Sequence, residues 1–345
     1  MGGDNLTKKQ CIMIAVYTFA HFAVDFSCAC LIFSISGNFG NAALLMLVYN
    51  FCAFAMQMPL GIIFDKLNRN YLGAAAGCLL TAAGFMFTSL PMAAAVVCGL
   101  GNAAFHLGGG IDVLNFSSKT TPCGIFVSSG AVGLYLGTML SGNNSAAICV
   151  PALIILAAAV IVSHIKLTDS VKSENAEFIL PPPKKYIIAA VMLLFIVVTL
   201  RSFTGFGAAF SWKSGILAFI AVLAAAMGKA LGGIFSDKFG ARTISAVSLG
   251  ASAILFLLGE NPVCGTAALL LFNMTMPVTL RSTADIFRGC KGFSFGLMTF
   301  ALFCGFIPVY AYGTAMSLPP AVMTILSAIS LIVLTAALKI KENRL

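Results

Sequence analysis

Tyr17, His21 and Asp25 recur every fourth residue in one long apolar run. A helix through that run puts the three side chains on one face. An ionisable group at the centre of a bilayer costs about 2.5–3.5 kcal/mol on insertion scales, so such groups serve a function or are paired inside the protein. A carboxylate beside an imidazole can take up and release a proton. Asp25 with His21 is therefore a candidate proton site, and a structural His–Asp pair locking this helix to a neighbour is the competing reading. Asn102 and His106 repeat the four-residue spacing in another apolar run, followed by Gly108, Gly109, Gly110 and Asp112. His106 is read as lining a cavity or as a buried hydrogen-bonding group. The three glycines are read as a place for close helix packing, since no strand precedes them as a nucleotide-binding loop requires. Asp112 is read as solvated or paired with Lys119.

The second half of the chain carries cations in its apolar runs, Arg201 and Lys229. Lys229 stands eight residues before Asp237, as Gln57 stands eight before Asp65. That distance is about 12 Å along a helix at about 1.5 Å per residue. Reaching the membrane surface from there is a long way for a snorkelling side chain, so Lys229 is expected to face a cavity. Arg201 is read as cavity-facing or as snorkelling near the outer surface. With Tyr17, Gln57, Asn102 and His106, these cations make up the expected solute-binding set. Asp25, Arg201 and Lys229 together leave positive charge in excess, which suits an organic anion.

The elements that position these residues follow from composition. The chain is 60% hydrophobic and 9% charged, where a soluble domain carries roughly 25% charged residues. About twelve spans of about 20 residues need roughly 240 residues, which leaves short loops. The expected spans are 11–34, 41–64, 71–90, 91–115, 121–142, 146–164, 186–210, 215–236, 243–258, 263–280, 293–312 and 320–338. The fold class expected is an all-α membrane protein of about twelve transmembrane helices in two pseudo-symmetric six-helix bundles. The bundles cover residues 1–165 and 186–345, and the polar, proline-containing stretch 166–185 is a cytoplasmic linker. The net charge of +9 reads as loop lysines and arginines on one side of the membrane rather than as a nucleic-acid surface. Lys8, Lys9, Lys66, Arg69, Lys119, Lys238, Arg242, Arg288 and Lys291 all fall on that side and Lys213 on the other, so both termini are expected in the cytoplasm. Lys8 and Lys9 lead directly into the first span, which is expected to stay in place. The eleven cysteines show no paired spacing and read as small buried hydrophobes.

One stretch occurs twice. Gly61-Ile62-Ile63-Phe64-Asp65-Lys66-Leu67-Asn68-Arg69-Asn70 is echoed by Gly233-Ile234-Phe235-Ser236-Asp237-Lys238-Phe239-Gly240-Ala241-Arg242, with Asp65 and Asp237 172 residues apart in a chain of 345. The pattern resembles the signature loop of the major facilitator superfamily, Gly-x-x-x-Asp-(Arg/Lys)-x-Gly-(Arg/Lys)-(Arg/Lys). The first copy has Asn68 in place of the glycine and Asn70 in place of a cation; the second has Ala241 in place of a cation. His21 through Asp25, the stretch from Gly99 to His106, and Gly130, Gly133 and Gly137 resemble the first, fourth and fifth helices of fosmidomycin-resistance-type facilitators, with Leu107 and Thr138 where that subgroup carries proline. The resemblance implies two six-helix halves around a midplane cavity, alternating access, and proton-linked export of a small compound. It also implies a conformational latch from the signature residues Gly61, Asp65, Lys66, Arg69, Gly233, Asp237, Lys238 and Arg242, with Asp65 near the start of span eleven and Asp237 near Pro122.

The function expected is secondary active transport of a small organic solute, coupled to protons and possible as efflux. Import or uniport, and a non-transporting sensor on a transporter scaffold, are the alternatives. A membrane enzyme is disfavoured, because His and Asp do not fall in a loop at the water interface. No nucleotide motif and no metal-ligand spacing appear, so no cofactor and no metal are expected. The partners expected are a small-molecule substrate, protons and the lipid bilayer, with no nucleic acid. The location expected is the plasma (inner) membrane.

Overall fold

The computed structural model describes residues 6–37, 39–142, 145–164, 184–311 and 317–344. Among these residues every regular element is helical. Eleven helical stretches are long and apolar enough to cross a membrane, and Ala241–Leu257 is a shorter apolar helix. Most of the expected linker, with Asp169, Glu174, Glu177 and the three prolines, lies outside the described residues.

The chain forms two compact units. The first comprises Met1–Ser118, Ser129–Ala176 and Gly289–Phe300. Its helices are α1 (Lys8–Ser36), α2 (Ala42–Asn50), α3 (Gln57–Leu67), α4 (Asn70–Gly84), α5 (Pro91–Phe116), α6 (Thr121–Leu140) from Ser129 onward, and α7 (Ser145–His164). α1 starts at a reciprocal cap, in which Thr7 accepts from the Gln10 backbone and donates its own N–H to the Gln10 side chain, filling two otherwise orphaned donors. α2 and α3 are one span joined by a wide turn at Phe51–Ala55. Asn68 closes α3 at φ 49°, the left-handed conformation that asparagine tolerates best after glycine. α4 runs along α5, and α1 packs on α5 and α7. Close approach is built in: a side chain at Gly108 would collide with the Asn70 carbonyl, and side chains at Gly133 and Gly137 would collide with the Phe22 and Phe26 carbonyls of α1.

The second unit comprises Lys119–Ser128, Glu177–Arg288 and Ala301–Leu345. Its helices are α8 (Lys184–Gly207), α9 (Gly215–Phe239), α10 (Ala241–Leu257), α11 (Pro262–Asn273), α12 (Thr275–Ile286), α13 (Lys291–Ala311) from Ala301 onward, and α14 (Pro320–Arg344). Span seven stops at Gly207, short of the expected Phe210, because the Gly207 carbonyl accepts from Ala209 and Leu318 and the chain turns there. Beyond the turn, Phe210 stacks on Trp212, whose ring N–H donates to the Gly259 carbonyl. Span ten runs on past the expected Leu280 to Ile286 as α11 and α12. The polar end of that span is tolerated because Arg281 pairs with Asp285 at 2.6 Å and Lys341 of α14 joins them.

Candidate functional site

α1 and α5 bring His21, Asp25, Asn102 and His106 together in the first unit. Nε2 of His21 lies 3.2 Å from Oδ2 of Asp25. Nε2 of His106 lies 2.9 Å from Nε2 of His21 and 3.9 Å from Oδ1 of Asp25. Asn102 donates to Oδ1 of Asp25 at 3.0 Å and to the Tyr49 hydroxyl at 3.3 Å. The two imidazoles are buried, while the Asp25 side chain keeps 20% of its surface open. Nδ1 of His106 lies 2.9 Å from the Asn102 carbonyl. A carbonyl only accepts, so this nitrogen carries the hydrogen and a neutral His106 turns a lone pair toward His21. His21 Nε2 lies within hydrogen-bonding reach of that lone pair and of the Asp25 carboxylate, so three basic atoms from two helices meet. Gly130 of α6 borders it; a side chain there would strike both Asp25 and His21.

Tyr17 shares the helix face of this pair but not its company. Its hydroxyl donates to Oδ2 of Asp112 at 2.6 Å, and Asn70 donates to Oδ1 at 2.8 Å. Asp112 is 2% exposed, so the reading of it as solvated or paired with Lys119 is corrected. Two neutral donors satisfy it inside the helix bundle. Sequence reasoning missed Asn70 here, though the signal was present, since Asn70 is where the first signature copy lacks its cation. Tyr49 was also missed, as was the Arg281–Asp285–Lys341 group. Gln57 is fully buried and donates to the Ala53 carbonyl at 2.6 Å, within its own helix turn.

In the second unit Arg201 is 7% exposed and donates to the Thr279 hydroxyl at 3.1 Å. No carboxylate pairs with it among the described residues. Lys229 is half-buried on α9, with its backbone carbonyl against Gly124.

The signature residues divide into those that bond and those that face out. Asp65 is buried and accepts from the backbone N–H groups of Gly292 at 2.7 Å and Phe293 at 2.9 Å, at the start of α13. Gly61 lies against the Gly292 backbone. Asp237 is exposed and accepts from the N–H groups of Thr120 at 2.7 Å and Thr121 at 2.8 Å, at the start of α6, and Gly233 lies against Thr121. Both carboxylates sit where a helix N-terminus favours negative charge. Lys66, Arg69, Lys238 and Arg242 are exposed. Lys238 lies over the Phe239 ring at 5.1 Å, and Arg242 approaches Glu342 at 3.9 Å.

The sequence spacing suggested no metal ligands. In the structure, with one residue supplied by another helix, one ligand atom each of His21, Asp25 and His106 lies within 4.8 Å of the others.

No protein-family model matches the sequence, and no curated protein is significantly similar to it. Solved structures do match the fold. A variant of the Escherichia coli fucose:proton symporter FucP superposes with a TM-score of 0.72 over 95% of this chain and 98% of that one, at 12% identity. FucP, described as a major facilitator superfamily transporter in its outward conformation, gives the same score over 98% of this chain and all of that one. The human organic anion transporter MFSD10 (TETRAN) gives 0.71 over 95% of this chain and all of that one, at 14% identity. The chain has the major facilitator fold, and with its apolar helices it is a multi-pass membrane protein.

Proposed function

We propose that this protein is a secondary active transporter that moves a small organic solute by alternating access, coupled to protons. The observation that carries the reading is the His21–Asp25–His106 cluster, which sets two buried imidazoles and a carboxylate within 2.9–3.9 Å of one another between α1 and α5 in a fold used by transporters. Asp25 and His21 are the proton-carrying groups. Arg201, Lys229, Asn102 and His106 are the solute-facing groups, and an anion suits the two cations. Tyr17 and Gln57 complete that set, Tyr17 with its hydroxyl on Asp112 and Gln57 with its amide on the Ala53 carbonyl. Asp65 and Asp237 act as latches that hold the starts of α13 and α6. FucP is described as a proton symporter and MFSD10 as an organic anion transporter, which supports the coupling and the anion respectively. The resemblance to fosmidomycin-resistance-type facilitators supports efflux. Exposed cations in both signature loops support cytoplasmic termini in a plasma membrane.

The test is reconstitution into proteoliposomes under an imposed pH gradient, with solutes chosen by thermal-shift screening of anions, cations and neutral compounds at two pH values. Asp25→Asn is expected to abolish uphill accumulation while sparing solute exchange. Uphill accumulation retained by that variant would reject proton coupling at this site.

A further inference from the structure

We infer that His21, Asp25 and His106 form a binding site for a first-row divalent transition-metal ion of the Zn²⁺ class. Two imidazoles and one carboxylate are a ligand set that such ions take readily. Around Zn²⁺, with ligands at about 2.0–2.2 Å in tetrahedral arrangement, ligand atoms stand roughly 3.3 Å apart. Here the imidazole nitrogens stand 2.9 Å apart, His21 is 3.2 Å from Oδ2 of Asp25 and His106 is 3.9 Å from Oδ1, and one ligand atom from each residue lies within 4.8 Å of the others.

The surroundings are those of a prepared site. The other ring nitrogen of His106 donates to the Asn102 carbonyl, which fixes the tautomer with its lone pair on Nε2; an ion would take that lone pair in place of the contact with His21 and release the hydrogen held there. Asn102 steadies the carboxylate at 3.0 Å, as outer partners of ligating carboxylates do. Asn102 is 1% exposed, and its Oδ1 has no partner among the described residues. A metal-bound water would donate to it and fill the fourth position. The Asp25 side chain keeps a fifth of its surface open, and the bare Cα of Gly130 leaves room beside the ligands.

The test uses the full chain, purified in detergent, stripped of metal and titrated with Co²⁺ while its ligand-field absorption is followed. One Co²⁺ per chain is expected, bound through nitrogen and oxygen and displaced by Zn²⁺. His106→Gln should weaken binding by more than the roughly 10–100-fold that loss of an outer partner brings, and Asn102→Ala by about that range. Gly130→Ala keeps every ligand and crowds the site, so it should also weaken binding; Ser163→Ala, at an exposed hydroxyl bonded within its own helix, should not. Each variant is first shown by size exclusion and far-ultraviolet dichroism to be folded. No saturable band, a sulfur-to-cobalt charge-transfer band from the buried cysteines, or an unchanged titration in folded His106→Gln would overturn the inference. The readout needs no transport, so its failure and the failure of the transporter reading are separate results. A bound ion occupies the lone pairs a proton needs, so Zn²⁺ is also expected to block proton-coupled flux; that consequence alone rests on the proton reading.

Discussion

The two units bury opposite chemistry. The first buries carboxylates, Asp65 and Asp112 with Asp25 nearly so, and meets them with imidazole, amide, phenol and backbone donors. The second buries Arg201 on a threonine and fills its interior with hydroxyls such as Ser252 and Ser327, bonded to each other at 2.7 Å. A carboxylate with several neutral donors is satisfied where it stands. A guanidinium with one hydroxyl is not, since it offers five donors and loses its hydration on burial. The first unit is therefore electrostatically closed around its charges, whereas the second holds a charge in want of an anion. The difference fits the proposal, with proton chemistry in the first unit and the cations that would meet a solute's negative group in the second.

The sharpest way to break that assignment is Arg201→Met. If the second unit receives the solute's negative group, the variant should lose about 2–5 kcal/mol of solute affinity, as truncating a buried charged partner does. Its stability without solute should be unchanged or raised, because an unpaired buried charge is a burden to the fold. Isothermal titration and thermal unfolding, run on the same samples, check both halves. Reduced stability with intact solute affinity would make Arg201 a structural cation and end the contrast.

The carboxylate side has its own test in Asp112→Ala. Two buried donors, the Tyr17 hydroxyl and the Asn70 amide, would lose their acceptor. Each unsatisfied group costs roughly 1–3 kcal/mol, so the variant should be destabilised by about 2–6 kcal/mol in denaturant unfolding. Co²⁺ binding at the His21 cluster should persist. Loss of metal binding in a folded Asp112→Ala protein would show that the two clusters of the first unit are coupled.

What was legible in the sequence follows the range of the contacts. Four-residue spacing on α1 and α5 marked His21, Asp25, Asn102 and His106, because helical periodicity is local. The repeated loop marked Asp65 and Asp237, because a left-handed turn leaves a residue signature at Asn68 and Gly240. Illegible were the partners supplied by other helices. Tyr17 looks from α1 like a third member of the His21 face, yet Asp112 on α5, 95 residues away, takes its hydroxyl. The metal-competent triad was hidden for the same reason, since two ligands sit four apart on one helix and the third comes 81 residues after Asp25. Arg281 escaped notice because its partner Asp285 follows one turn later, and the pair looks like a polar helix end rather than a half-buried group joined by Lys341.

The smallest effect separates the two latch carboxylates, which the repeat makes equivalent and burial does not. Asp65 is 5% exposed at the start of α13, and Asp237 is exposed at the start of α6. A carboxylate at a helix N-terminus contributes about 0.3–1 kcal/mol when exposed and up to about 2 kcal/mol when partly buried. Asp65→Asn should therefore cost about 1–2 kcal/mol and Asp237→Asn less than about 1 kcal/mol in thermal unfolding. Both amides can still accept one backbone hydrogen bond, so neither variant should unfold. If the carboxylates are latches, each variant should also change the accessibility of engineered thiols near its helix start, Asp65→Asn more than Asp237→Asn. Equal costs with unchanged accessibility would reduce both loops to helix caps, with the repeat left as a trace of how the chain arose rather than of how it moves.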